Sequence, residues 1–110
     1  MVLVNLKYSN NLIKYVEVSG HSEYLSKDGS DLVCASISSI MFGGLNALSQ
    51  KGLPKKNLIM EDNLIKIINN FKSEVYNNII DTIYFQLKTI ESKYGEHIKI
   101  IEKEEENEKL

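Results

Sequence analysis

The sequence predicts an α+β sandwich, a mostly antiparallel sheet covered by two main helices, in the order β-β-α-β-β-α-β. Three observations carry this expectation. Two β-rich runs, VLVNLKY and LIKYVEVS, are separated only by a turn cluster. Two long segments repeat apolar residues at helical spacing and stop at glycine. Short β-branched runs follow each of those segments. Hairpins joined by helical returns are how helices come to cover an antiparallel sheet.

In the first run, Val2, Val4 and Leu6 alternate with Leu3, Asn5 and Lys7, a strand with one face more apolar than the other. Ser9-Asn10-Asn11 is the turn, and Leu12 to Ser19 returns as the second strand of an antiparallel hairpin. Gly20 ends it. HSEYLSKDGS follows, a polar interval read as a loop and long enough to be a candidate functional one. From Ser30 the apolar stripe Val33, Ile37, Ile40, Met41, Leu45, Leu48 describes a helix that Gly52 and Pro54 stop. Ser30 or Asp31 is positioned to cap it, by accepting from backbone N–H groups that lack helical partners. Gly43 and Gly44 interrupt that helix at about 1 kcal/mol each relative to alanine, which close packing of the helix on a neighbour would explain. Asn57–Glu61 and Leu64–Asn69 read as two strands around an Asp62-Asn63 turn, with a short helix as the alternative. A second helix carries Val75, Ile79, Ile83, Leu87, Ile90 and Tyr94 on its expected buried stripe and stops at Gly95. His97 to Ile101 is a last strand. The expected division is a single domain over residues 1–101 and an acidic, solvated tail over 102–110.

Composition narrows the function classes. The 110-residue chain is 43% hydrophobic and 25% charged, ordinary for a globular domain, with a net charge of −2. All of its 13 basic residues are lysine. Without a basic balance or arginine, direct nucleic-acid binding is not expected. One cysteine excludes an internal disulfide and a multi-cysteine zinc site. The N-terminus lacks a signal-peptide pattern and no apolar run is read as membrane-spanning, so the expected location is the cytoplasm, with no membrane partner.

The chemistry concentrates at the junction of loop and helix. With Asp31 as the cap, Cys34 falls in the helix's first turn, where the positive end of the dipole favours a thiolate and free N–H groups can receive an oxyanion. His21 stands where the second strand ends. A loop of about a dozen residues brings its ends together at modest cost, so an imidazole there can take the thiol proton and later protonate a leaving amine. Ser38 lies one turn beyond Cys34 and can orient His21 or the substrate. Asp31 can do the same, although capping is its simpler role. From the residues alone the structural readings stand beside these: Cys34 as a small buried hydrophobe, His21 as an exposed loop residue, Ser38 as an ordinary helix position. His97 has no chemical partner nearby in sequence.

Gly20-His21, Gly29, DLVCA at Asp31–Ala35, Ser38 and FGGLNAL at Phe42–Leu48 together resemble the signature of the ribosomal-processing cysteine protease family, Prp. The resemblance implies a small cytosolic cysteine endopeptidase, usually a homodimer, that needs no metal or cofactor. It implies as substrate the precursor of large-subunit ribosomal protein number twenty-seven, from which an N-terminal extension is removed. Cys34 then matches the nucleophile and His21 the general base and acid, with Asp31 and Ser38 in supporting places. Ser22, Glu23, Tyr24, Leu25, Ser26, Lys27, Asp28, Gly29 and Ser30 become a substrate lid. Two rival readings remain open at this stage: a non-catalytic ribosome-associated binding module, and a redox-responsive protein that uses Cys34 as a sensor thiol.

Overall fold

A computed structural model of the chain describes residues 1–20 and 30–105. Strands β1 (Val2–Ser9) and β2 (Leu12–Ser19) precede helix α1 (Ser30–Gln50). A 3-10 turn (Lys55–Asn57), β3 (Leu58–Glu61), β4 (Leu64–Ile68), helix α2 (Glu74–Tyr94) and β5 (Ile98–Glu104) complete the order. The strands form one sheet, β3-β4-β2-β1-β5. Every neighbouring pair is antiparallel except β1 and β5, because α2 carries the chain back over the sheet before β5 begins. The expected α+β architecture and element order are the ones found.

The first hairpin turns on Asn10 and Asn11, both left-handed at φ 54° and 65°. Asparagine tolerates that region, and two such residues match the twist of the flanking strands. A bulge follows: Lys7 pairs with Tyr15 but Tyr8 pairs with Ile13, so Lys14 is the extra residue. Beyond it the alternation is regular. Val2, Val4, Leu6, Val16, Val18, Ile65, Ile67 and Ile98 are buried. They form one core with Val33, Ile37, Met41, Leu45 and Leu48 of α1 and Ile80, Ile83 and Leu87 of α2.

Some expectations need correction. The buried line of α2 runs through Ile80, Ile83 and Leu87, while Val75 is exposed. The helix therefore sits rotated from the stripe expected at its first turn, where Tyr76 packs against the core instead. Asn57 ends the 3-10 turn and is buried, with its side-chain amide donating to Ile68 O (2.7 Å) and Asn70 Oδ1 (2.9 Å). Asn69 lies just past β4. The last strand continues to Glu104, because Glu102, Lys103 and Glu104 pair with β1. Gly44 is closely packed as expected, whereas Gly43 has open space around it. Asp31–Gln50 is also long and apolar enough, by length and composition, to cross a membrane. In this fold its apolar stripe is spent on the core.

Candidate active site

The topology decides which residues share an end of the molecule. The Asn57 hydrogen bonds set the chain just beyond α1 beside the end of β4, and the amide of Asn69 bonds Lys14 O at the start of β2. A helix of 21 residues is about 30 Å long, slightly more than the ~26 Å span of an eight-residue strand. The N-terminus of α1 therefore reaches the other end of the sheet, where β2 finishes at Ser19. Gly20 donates its N–H to Asn63 O (3.3 Å) there, and Val2 donates to His97 O (2.8 Å). Cys34, Gly20, the Asp62-Asn63 turn and the start of β5 are thus gathered at one end.

Cys34 is the fifth residue of α1, not a residue of its opening turn, because the helix already begins at Ser30. This corrects the expected cap. Asp31 lies inside the first turn, and the position before Ser30 lies outside the described residues. The consequence for chemistry is small, since helical side chains lean toward the N-terminus. A residue at this position is still within about one turn of the start of the helix, where backbone amides have no acceptor inside the helix. The side chain is 9% exposed and belongs to the edge of the core, between buried Val33 and Ile37. Ser38, one turn on, is half-buried, as is Asp31. Ser36 donates its hydroxyl to Leu32 O (2.9 Å) within the helix. Leu32 itself is 56% exposed beside the cysteine turn, an apolar surface open to a ligand.

His21 and the lid positions Ser22 to Gly29 lie outside the described residues. What is described is the residue that launches them. Gly20 has φ +80°, and a Cβ at that position would lie 2.9 Å from the carbonyl oxygen of Met1. Both the torsion and the space demand glycine. The signal for a turn residue was visible in the sequence, but the crowding by Met1 was not, since it depends on the pairing of β1 with β2. The fold also carries His97, which sequence gave no partner, to the Cys34 end of the sheet. It sits two strands from Gly20, about 10 Å at ordinary strand spacing. Among the described residues no group of His, Cys, Asp and Glu is arranged to hold a metal ion.

Comparison with known proteins identifies the family. Residues 1–99 match the family described as cysteine protease Prp. The ribosomal processing cysteine protease Prp of Staphylococcus aureus is 30% identical over 91 residues, which span 77% of this chain and 82% of that one. A crystal structure of the S. aureus protease with a covalently linked product peptide superposes with TM-score 0.80 at 25% identity, covering 93% of this chain and 99% of that one. Its complex with a substrate peptide gives 0.78 at 23% identity and the same coverage, and a Streptococcus mutans protein gives 0.78 at 16%, covering 96% of each chain. With the match running from the first strand into the last, this chain belongs to the Prp family of cysteine proteases.

Proposed function

We propose that the chain is an endopeptidase that removes the N-terminal extension from the precursor of large-subunit ribosomal protein number twenty-seven, using Cys34 and His21. The observation that carries the reading is the position of Cys34, in the opening turns of α1 at the end of the sheet where β2 delivers the chain to His21. The S. aureus relative, whose crystal structure holds a substrate peptide, supports a peptide as the substrate class.

In the proposed course, His21 takes the thiol proton as sulfur attacks the scissile carbonyl carbon. The new C–S bond leaves an oxyanion, which the N–H groups at the start of α1 receive. His21 returns the proton to the leaving amine, the C–N bond breaks, and an acyl-enzyme remains. Water then gives a proton to His21 and attacks the thioester, releasing the new carboxyl group and regenerating the thiol. Asp31 or Ser38 orients the imidazole. Because Cys34 is almost covered, a substrate needs an opening, and the segment Ser22–Gly29 is assigned that role as the lid, Ser30 being the first residue of α1. The enzyme is proposed to act in the cytoplasm as a homodimer, and Phe42 and Phe85, 44% and 64% exposed on the two helices, are the apolar surface that favours association.

The test incubates the precursor with wild type, Cys34→Ala, His21→Ala and His97→Gln, with both products weighed by mass spectrometry. One defined cut, lost in the first two variants and kept in the third, is the expected result. Loss with His97→Gln and retention with His21→Ala would move the base to His97, just before β5. Intact precursor with folded, reduced wild type would leave the binding-module reading.

A further inference from the structure

The net charge of −2 averages over two unlike ends. Asp31, Glu61, Asp62 and Glu96 belong to the Cys34 end by the topology above. The opposite end is basic. Lys51 follows α1, Lys55 and Lys56 lie in the 3-10 turn, Lys72 precedes α2, and Lys14 is the bulge residue. Hydrogen bonds bind these segments together. Tyr76 Oη donates to Lys51 O (3.3 Å), and the amides of Asn57 and Asn69 make the bonds given above. The ion pairs among the described residues use Lys66 and Lys88, and none of these five lysines. The acids at this end are Glu74, Glu104 beside Tyr8, and Glu105, which itself lines the cleft described next.

This end also holds a cleft of about 560 Å³ lined by Leu12, Lys14, Tyr15, Asn70, Phe71 and Lys72 among others. The volume is in the range that takes a small organic group. Phe71 is 38% exposed, held edge-on by Tyr76 at 6.1 Å and fixed through its own N–H to Asn69 Oδ1 (3.2 Å). Asn69 is fully buried and donates in turn to Asn77 Oδ1 (3.1 Å). The aromatic edge of the cleft is therefore rigid, while the lysines at its mouth are free. A rigid ring beside carboxamides suits a base, and unpaired lysines suit the phosphates on either side of it.

Against the expectation drawn from the charge of the whole chain, we propose that this end of the protein binds single-stranded RNA, with one base in the cleft against Phe71 and the flanking phosphates on Lys14, Lys72 and the Lys51–Lys56 segment. The site is roughly 26 Å of strand away from Cys34, so RNA and a peptide substrate can be held together. The inference does not depend on which peptide is cut.

The experiment is fluorescence anisotropy of a labelled ten-nucleotide oligouridylate with the full chain, across a salt series. Binding is expected at low salt, with log K falling against log salt at about −0.7 per phosphate contacted. Lys14→Gln and Lys72→Gln should each reduce that slope by about 0.7. Phe71→Leu, which keeps apolar packing but removes the ring face, should weaken binding about ten-fold without changing the slope. Precursor cleavage by all three variants should be unchanged. No anisotropy change at low salt would overturn the proposal. So would equal binding of polyglutamate, or a salt slope indifferent to both lysine substitutions.

Discussion

Gly44 of α1 stands so close to Ile83 of α2 that a Cβ at position 44 would lie 2.3 Å from Ile83 Cδ1 and 2.8 Å from Cγ1. The two helices of the covering layer touch through a missing side chain. Gly43, its neighbour, faces nothing within 4 Å. One glycine is a packing requirement and the other only weakens the helix.

That difference gives opposite signs to the same substitution. Gly44→Ala is expected to destabilise by about 1–3 kcal/mol, since Ile83, itself buried, must move both Cγ1 and Cδ1 away from the new methyl. Gly43→Ala is expected to stabilise by up to about 1 kcal/mol through helix propensity. Urea denaturation of the two variants checks this, and a common sign would contradict the helix contact.

Gly20→Ala should be worse than its single methyl suggests. The substitution meets both a left-handed torsion and the Met1 carbonyl. Stability should fall by about 1–3 kcal/mol. Cleavage should fall further than the folded fraction does, because the exit from β2 aims the chain at His21. Activity that tracks the folded fraction alone would sever Gly20 from the site.

Asp31 separates two roles that its position leaves joined. As an acid in the first turn of α1, it should contribute about 0.3–1 kcal/mol of stability, which Asp31→Asn removes. If it also orients His21, the variant will shift the acid limb of the pH–rate profile for cleavage, an effect that the lost helix charge does not predict through stability. Ser38→Ala serves as the comparison, with the same profile measured on each.

Glu102 ties the last strand to the rest of the fold. It accepts from Tyr8 (2.7 Å) and Tyr84 (3.2 Å) and pairs with Lys88 (3.2 Å). The Tyr8 hydrogen bond, with Lys88, holds its carboxyl below the ordinary value against the opposing effect of burial. Burial, then the bond to Glu102, raises the Tyr8 hydroxyl in turn. A depressed folded value means the contribution is full above the ordinary carboxylate range and is lost as pH falls through the folded value. Glu102→Gln should therefore lower Tm at pH 7, and the gap to wild type should close toward pH 3. A gap that stays constant over that interval would show the charge to be irrelevant.

Local signals were enough for much of this protein. The alternation in Val2–Leu6 specified a buried strand face, the asparagine pair specified the hairpin, and the i, i+3, i+4 stripe of α1 specified a helix whose apolar residues are in the core. Each is a choice made by residues within a few positions of one another. The cysteine near the helix start was legible for the same reason. The failures were of longer range. Val75 fits the helical period of α2, but the helix sits so that Tyr76 meets the core at that turn and Val75 faces out. Glu102 and Glu104 look like a solvated acidic run, yet β1 offers them a parallel ladder and Tyr8, Tyr84 and Lys88 offer Glu102 hydrogen bonds. The sequence by itself determined the elements, the layer they form and the chemical character of the Cys34 turn. Tertiary structure alone decided that Met1 crowds Gly20, that Gly44 and not Gly43 is the contact, and that five lysines scattered from position 14 to 72 share one end. Those depend on which distant residues strand pairing and helix packing bring within a few ångströms, and no local pattern encodes that distance.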